Sequence, residues 1–91
     1  MTEMEKLCEM LEERGINFEL RSIHGSPQVM CPCIDNRVID AVCHWWSYGG
    51  PEGLLEILSN YEEDVIGWLT ADKAIKYFEE AWEKIEKVEN N

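Results

Sequence analysis

The chain has 91 residues, 19 acidic and 8 basic side chains, and a formal net charge of −11. That length admits one domain, and a hydrophobic content of 45% is that of a folded protein, not a disordered one. The acidic balance argues against direct nucleic-acid binding and against anionic membrane surfaces, both of which call for the opposite charge.

The first predicted element is a helix marked at both ends. Thr2 and Glu5 form a capping box, and Met4, Leu7, Cys8 and Leu11 make one apolar stripe. Arg14 followed by Gly15 supplies a cation in the last turn and a residue able to take positive φ. The period then changes to two: Ile16, Phe18 and Leu20 alternate with Asn17, Glu19 and Arg21, the pattern of a half-buried strand. Gly25-Ser26-Pro27 breaks it. Val29-Met30-Cys31 is a short strand that Pro32 should end.

After a turn at Asp35-Asn36, the β-branched and aromatic run from Val38 to Trp46 predicts the longest and most central strand. Tyr48 to Gly53 is a loop, Leu54 to Leu58 a further strand, and an acidic turn runs through Asp64. Val65 and Ile66 add a brief extended piece before Gly67. Thr70 then caps a long helix with its apolar stripe at Ala74, Ile75, Phe78, Ala81, Trp82, Ile85 and Val88. Its polar face places Asp72 with Lys76, Glu80 with Lys84 and Glu83 with Lys87 at i, i+4. Two one-sided helices need a common surface to bury against. The expected architecture is therefore α-β-β-β-α in the α+β class, a three- or four-stranded antiparallel sheet with both helices packed on it, and residues 1–91 form one such domain.

The first six residues hold no apolar run, and no stretch approaches the roughly 20 apolar residues of a membrane span. The four cysteines are then expected to be reduced and the protein cytoplasmic. Cys31-Pro32-Cys33 and Cys43-His44 carry soft ligands, but neither spacing suits a structural zinc, and adjacent residues on a strand face opposite ways. No metal or other cofactor is expected. His24 and His44 have no adjacent nucleophile–base signature, and no glycine-rich phosphate loop opens a helix, so no catalytic residue is assigned and the chain does not read as an enzyme.

Two constellations remain. On a strand, one of Trp45 and Trp46 would join the core and the other would face outward, so Trp46 with Tyr48 is expected to anchor a protein partner or to stack on a base. Nearly half of the net charge sits in residues 52–64, where Glu52, Glu56, Glu62, Glu63 and Asp64 have no basic neighbour in sequence. Such a patch suits a basic groove.

Val42-Cys43-His44, the run Ser47-Tyr48-Gly49-Gly50-Pro51-Glu52-Gly53-Leu54-Leu55-Glu56-Ile57 and the run from Asp64 to Asp72 resemble a family of small acidic proteins encoded by bacterial phages and prophages. The resemblance covers roughly the C-terminal half and brings no established active site with it. It implies the cytoplasm of a bacterial host and a counter-defence role of the anti-CRISPR type. On this reading the chain is a non-enzymatic inhibitor of a host protein with a basic surface, a nucleic-acid-handling defence factor. Glu52, Glu56, Glu62, Glu63 and Asp64 would imitate nucleic acid, and Trp46 and Tyr48 would anchor the contact. The alternatives are a module that sequesters a nucleotide signal and a homodimer or larger homo-oligomer with Trp46 buried between chains.

Overall fold

The computed structural model describes residues 1–89, and they form an α+β domain. Helix α1 (Glu3–Glu13) leads into strands β1 (Glu19–Ile23), β2 (Ser26–Cys31), β3 (Ile39–Val42), β4 (Leu55–Ser59) and β5 (Ile66–Leu69), and helix α2 (Ala71–Glu89) closes the chain. The strands pair antiparallel in sequence order, an uncrossed meander of five, one more than the upper expectation. No helix among the described residues is long and apolar enough to cross a membrane.

The capping box of α1 is present: Thr2 Oγ1 accepts from the Glu5 amide at 3.1 Å, and Glu5 Oε1 accepts from the Thr2 amide at 2.9 Å. At the other end the Gly15 amide donates to Glu12 O and the Ile16 amide to Leu11 O, with Gly15 at φ 67°. This is the Schellman arrangement, in which the residue after the glycine packs back on the helix. Ile16 is buried for that reason, so its apolar signal belongs to the helix end, and the strand starts three residues later than its alternation suggested.

One face of the sheet carries the core. Val29 and Cys31 on β2, Ile39 and Ala41 on β3, and Leu55 and Ile57 on β4 pack against Met4, Leu7 and Leu11 of α1 and Ala74, Ile75 and Phe78 of α2. Pro27 falls inside β2, where the pattern read a break. The β2–β3 register begins at Gln28 opposite Val42, so a strand partner is already missing where the Pro27 amide would point, and nothing is lost by its lack of an N–H.

The start of α2 is held by α1. Thr70 contributes its carbonyl to the Lys73 and Ala74 amides, and the amide of buried Ala71 donates to Glu3 Oε1 at 2.7 Å. That backbone hydrogen bond, helped by Lys6, holds the Glu3 carboxyl below its ordinary value of 4.5. A lowered folded pKa stabilises above the unfolded value and loses its effect as pH falls through the folded one. Glu3→Ala should therefore cost about 1 kcal/mol near neutral pH. Urea titrations should show that deficit closing as the pH drops below 4.5. A deficit that does not depend on pH would contradict the cap.

Of the three ion pairs expected along α2, Glu83–Lys87 forms at 3.3 Å, and Asp72–Lys76 and Glu80–Lys84 do not. Lys84 lies instead over the Tyr61 ring, 4.3 Å from its centre.

Candidate functional site

The antiparallel meander sorts the loops by end. The β1–β2 hairpin, residues 43–54 and the β5–α2 junction lie at one end of the sheet; residues 32–38 and the acidic turn 60–65 lie at the other. The first end is the aromatic one. β3 stops at Val42, four residues short of Trp46, because the chain turns there. Ser47 ties that turn, with Oγ accepting from the His44 amide at 2.9 Å and donating to the His44 carbonyl at 2.7 Å. The expectation that one tryptophan enters the core is thus corrected. Neither ring lies on a strand, and Trp45 and Trp46 are 67% and 60% exposed.

Two further aromatic rings complete this end. Tyr48 and Trp68, 53% and 57% exposed, stack with ring centres 5.3 Å apart and planes 11° off parallel. Trp68, at φ 54°, donates its amide to the Tyr48 carbonyl at 3.1 Å. Glycine at 67 is what lets the two segments meet, since a Cβ there would strike Tyr48 Cβ. A cleft of about 210 Å³ opens beside the stack, lined by Ser47, Tyr48, Gly49, Pro51, Glu52 and Trp68.

The histidines join the same end. His24 sits in the two-residue β1–β2 turn at φ 51°, with its ring edge-on to Trp46 at 4.6 Å and to His44 at 4.9 Å. His44 Nδ1 accepts from the Trp46 amide at 3.1 Å, which places any proton of the neutral ring on Nε2. Sequence reasoning gave His24 no role and did not include Trp68 among the candidate site residues. The signal for His24 was present in His24-Gly25, a dipeptide able to form a tight hairpin turn between two strands.

The acidic residues do not gather into one patch. Glu52 lies at the aromatic end, exposed, on a short 3₁₀ turn. Glu56 is half-buried on β4 and spends one oxygen on the Tyr48 amide at 2.9 Å, so it builds the aromatic loop from below. Glu62, Glu63 and Asp64 are exposed at the far end of β4, about 14 Å of strand away by the rise per residue. Glu62 shares a groove with Lys73 and Lys76 of α2, cations that the sequence did not place near it.

The sheet face away from the helices holds a polar chain that is buried at Gln28 and Asp40. Arg21 Nε donates to Gln28 Oε1 at 2.7 Å, Gln28 Nε2 to Asp40 Oδ2 at 2.9 Å, and Arg37 Nη1 to the same oxygen at 3.2 Å. Burial pushes the Asp40 carboxyl above its ordinary 3.8, against the pull of Arg37 and Gln28. A raised folded pKa in an acid favours the protonated fold, so the cost of ionising Asp40 is absent below 3.8 and full above the raised value. Wild type should therefore lose stability relative to Asp40→Asn as pH rises from about 4 to about 7. Paired denaturation curves showing the opposite slope would contradict the assignment.

Cys8, Cys31 and Cys43 are all shifted by burial toward the neutral thiol, Cys31 up to about 12. Cys43 and His44 follow β3 instead of lying on it, so strand alternation does not separate them. No three His, Cys, Asp or Glu side chains converge as a metal site among the described residues. No protein-family model, no curated protein and no solved structure matches the chain.

Proposed function

We propose that the chain is a non-enzymatic protein-binding domain that docks through its aromatic end onto a partner with a basic surface. Exposure of Trp45, Trp46, Tyr48 and Trp68 at one end of a small domain is the observation that carries the reading. Large apolar groups held in water by tight turns are costly unless something covers them, and Trp and Tyr dominate binding energy at protein interfaces. The net charge of −11 and Glu52 beside the rings favour a basic partner, and guanidinium groups stack well on indole. The likeness to phage proteins adds a host nucleic-acid-handling protein as the partner and inhibition as the outcome. A nucleotide is less favoured, because the cleft beside the Tyr48–Trp68 stack has Glu52 in its lining and no cation.

The test is affinity capture from bacterial lysate with wild type, a Trp45→Ala/Trp46→Ala variant and a Trp68→Ala variant, each repeated at high salt. A protein retained by wild type and lost with the aromatic variants supports the reading. Capture that survives both variants overturns it, as does a thermal shift with free nucleotides that is abolished by the same substitutions. A Glu62/Glu63/Asp64 charge reversal reports separately on the opposite end, where loss of capture would mean that the partner spans the sheet.

A further inference from the structure

We propose that the outer edge of β1, with the groove beside it, receives an extended basic segment of a partner protein as an added strand. This surface is distinct from the aromatic end, and the inference stands without that reading.

Among the described residues β1 pairs with β2 alone. In a hairpin closed by two residues, Ile23 with Ser26, Arg21 with Gln28 and Glu19 with Met30 are the pairs that exchange hydrogen bonds. The amides and carbonyls of Leu20 and Ser22 therefore point away from the sheet. The opposite edge is protected: β5 is four residues long, irregular in its pairing between Leu55 and Ile57, and has its Trp68 amide bonded to Tyr48. β1 is five residues long and regular in register, and among the described residues nothing pairs on its outer side. Open edges of that kind are templates for another strand.

The helices also stop short of β1. Leu20 lies on the core side, opposite fully buried Val29, yet is 52% exposed. Between it and α1 runs a groove of about 420 Å³, with Cys8, Leu20 and Pro27 as its apolar floor and Glu5, Glu9 and Glu12 along its wall. No base lines it.

The occupant follows from register and charge. In an added strand the residues opposite Leu20 and Ser22 project to the same face as those side chains, toward the glutamate row. Lys or Arg at alternate positions would meet Glu5, Glu9 and Glu12 there. A second copy of this chain, paired about Leu20, would set two such glutamate rows against each other, so charge selects a foreign basic segment.

The test titrates the isotope-labelled full chain with a decapeptide of alternating lysine and valine. The control is the same peptide with N-methylated valines, which cannot pair as a strand. Amide shifts should cluster at Leu20–Ser22 and along Glu5–Glu12 and should vanish with the control. Glu9→Lys/Glu12→Lys, at two exposed positions, should weaken binding at least about tenfold and flatten its dependence on salt. Ser22→Pro removes an outward amide and should abolish binding while thermal unfolding stays near wild type. Equal binding of the control peptide, shifts confined to the aromatic end, or a concentration-dependent dimer through β1 would each overturn the proposal.

Discussion

Phe78→Ala is expected to remove about 3–5 kcal/mol of stability, a large share of the roughly 5–13 kcal/mol available to a chain this long. Phe78 is fully buried and is the largest side chain at that depth. It sits where α2 meets the sheet and packs with Leu55, Ile57 and Ala74 in the one core. A domain of this size has no second core to share the loss, so the cavity should open the whole fold cooperatively. Urea unfolding followed by tryptophan fluorescence should show a large fall in midpoint with little change in slope. Phe78→Leu, which refills most of the space, should recover much of the loss. A loss below about 1 kcal/mol for Phe78→Ala would mean that the helix is not seated as described.

Gly50→Ala is expected to disrupt the aromatic end more than any single ring deletion. A Cβ at position 50 would run into the His44 carbonyl and Ser47 Oγ, the atoms that tie the 44–47 turn. Backbone cannot yield as a side-chain tip does, so the turn has to open or the loop has to shift, at about 1–3 kcal/mol. Opening it releases the Ser47 bonds to His44 and the Trp46 amide from His44 Nδ1. Proton spectra should then lose the ring-current contacts between His24 and Trp46, while the Phe78 core signals keep their dispersion. Gly15→Ala is the useful contrast, since its Cβ would meet nothing but its φ of 67° remains unfavourable. It should cost stability and leave the aromatic end intact. If Gly50→Ala keeps the His24–Trp46 contacts, the tight turn is not what holds the rings out.

Both helices were legible in the sequence, and for local reasons. Thr2 and Glu5 close a capping box within four residues, and the stripe from Ala74 to Ile85 repeats at helical period, so neighbours in sequence are neighbours in space. The strands were legible in position to within a few residues, although five form where three or four were expected. Their limits were not. The Val38–Trp46 run carries strand propensity throughout, yet β3 ends at Val42, because Ser47 and Gly50 fold the chain back on His44. Ile16 alternates with Phe18 as a strand residue would, yet it serves the end of α1. Propensity registers the side chain; the competing backbone hydrogen bonds decide the element.

The candidate site shows the same division more sharply. Trp46, Tyr48 and Glu52, close in the chain, lie at one end of the sheet, with Tyr48 and Glu52 lining one cleft and Trp46 against His24. Trp68 and His24 were left out, although strand pairing and hairpin closure bring both to the aromatic end. The acidic run of residues 52–64 reads as one patch in sequence, and β4 divides it between the two ends of the sheet. Glu56 is drawn into holding Tyr48, and Glu62 comes to share a groove with Lys73 and Lys76.

Composition and pattern alone thus determined an acidic α+β domain, two amphipathic helices, the first with its capping box, strands between them and an aromatic segment worth testing. Each rests on interactions that reach no further than a few residues along the chain, where periodicity and caps are decisive. Which tryptophans see solvent, which carboxylates stand together and which sheet edge stays open depended on the register of strands and the reach of two helices. Those are long-range properties: a residue's burial is set by what the rest of the chain lays over it, and two helices cover the core without reaching β1.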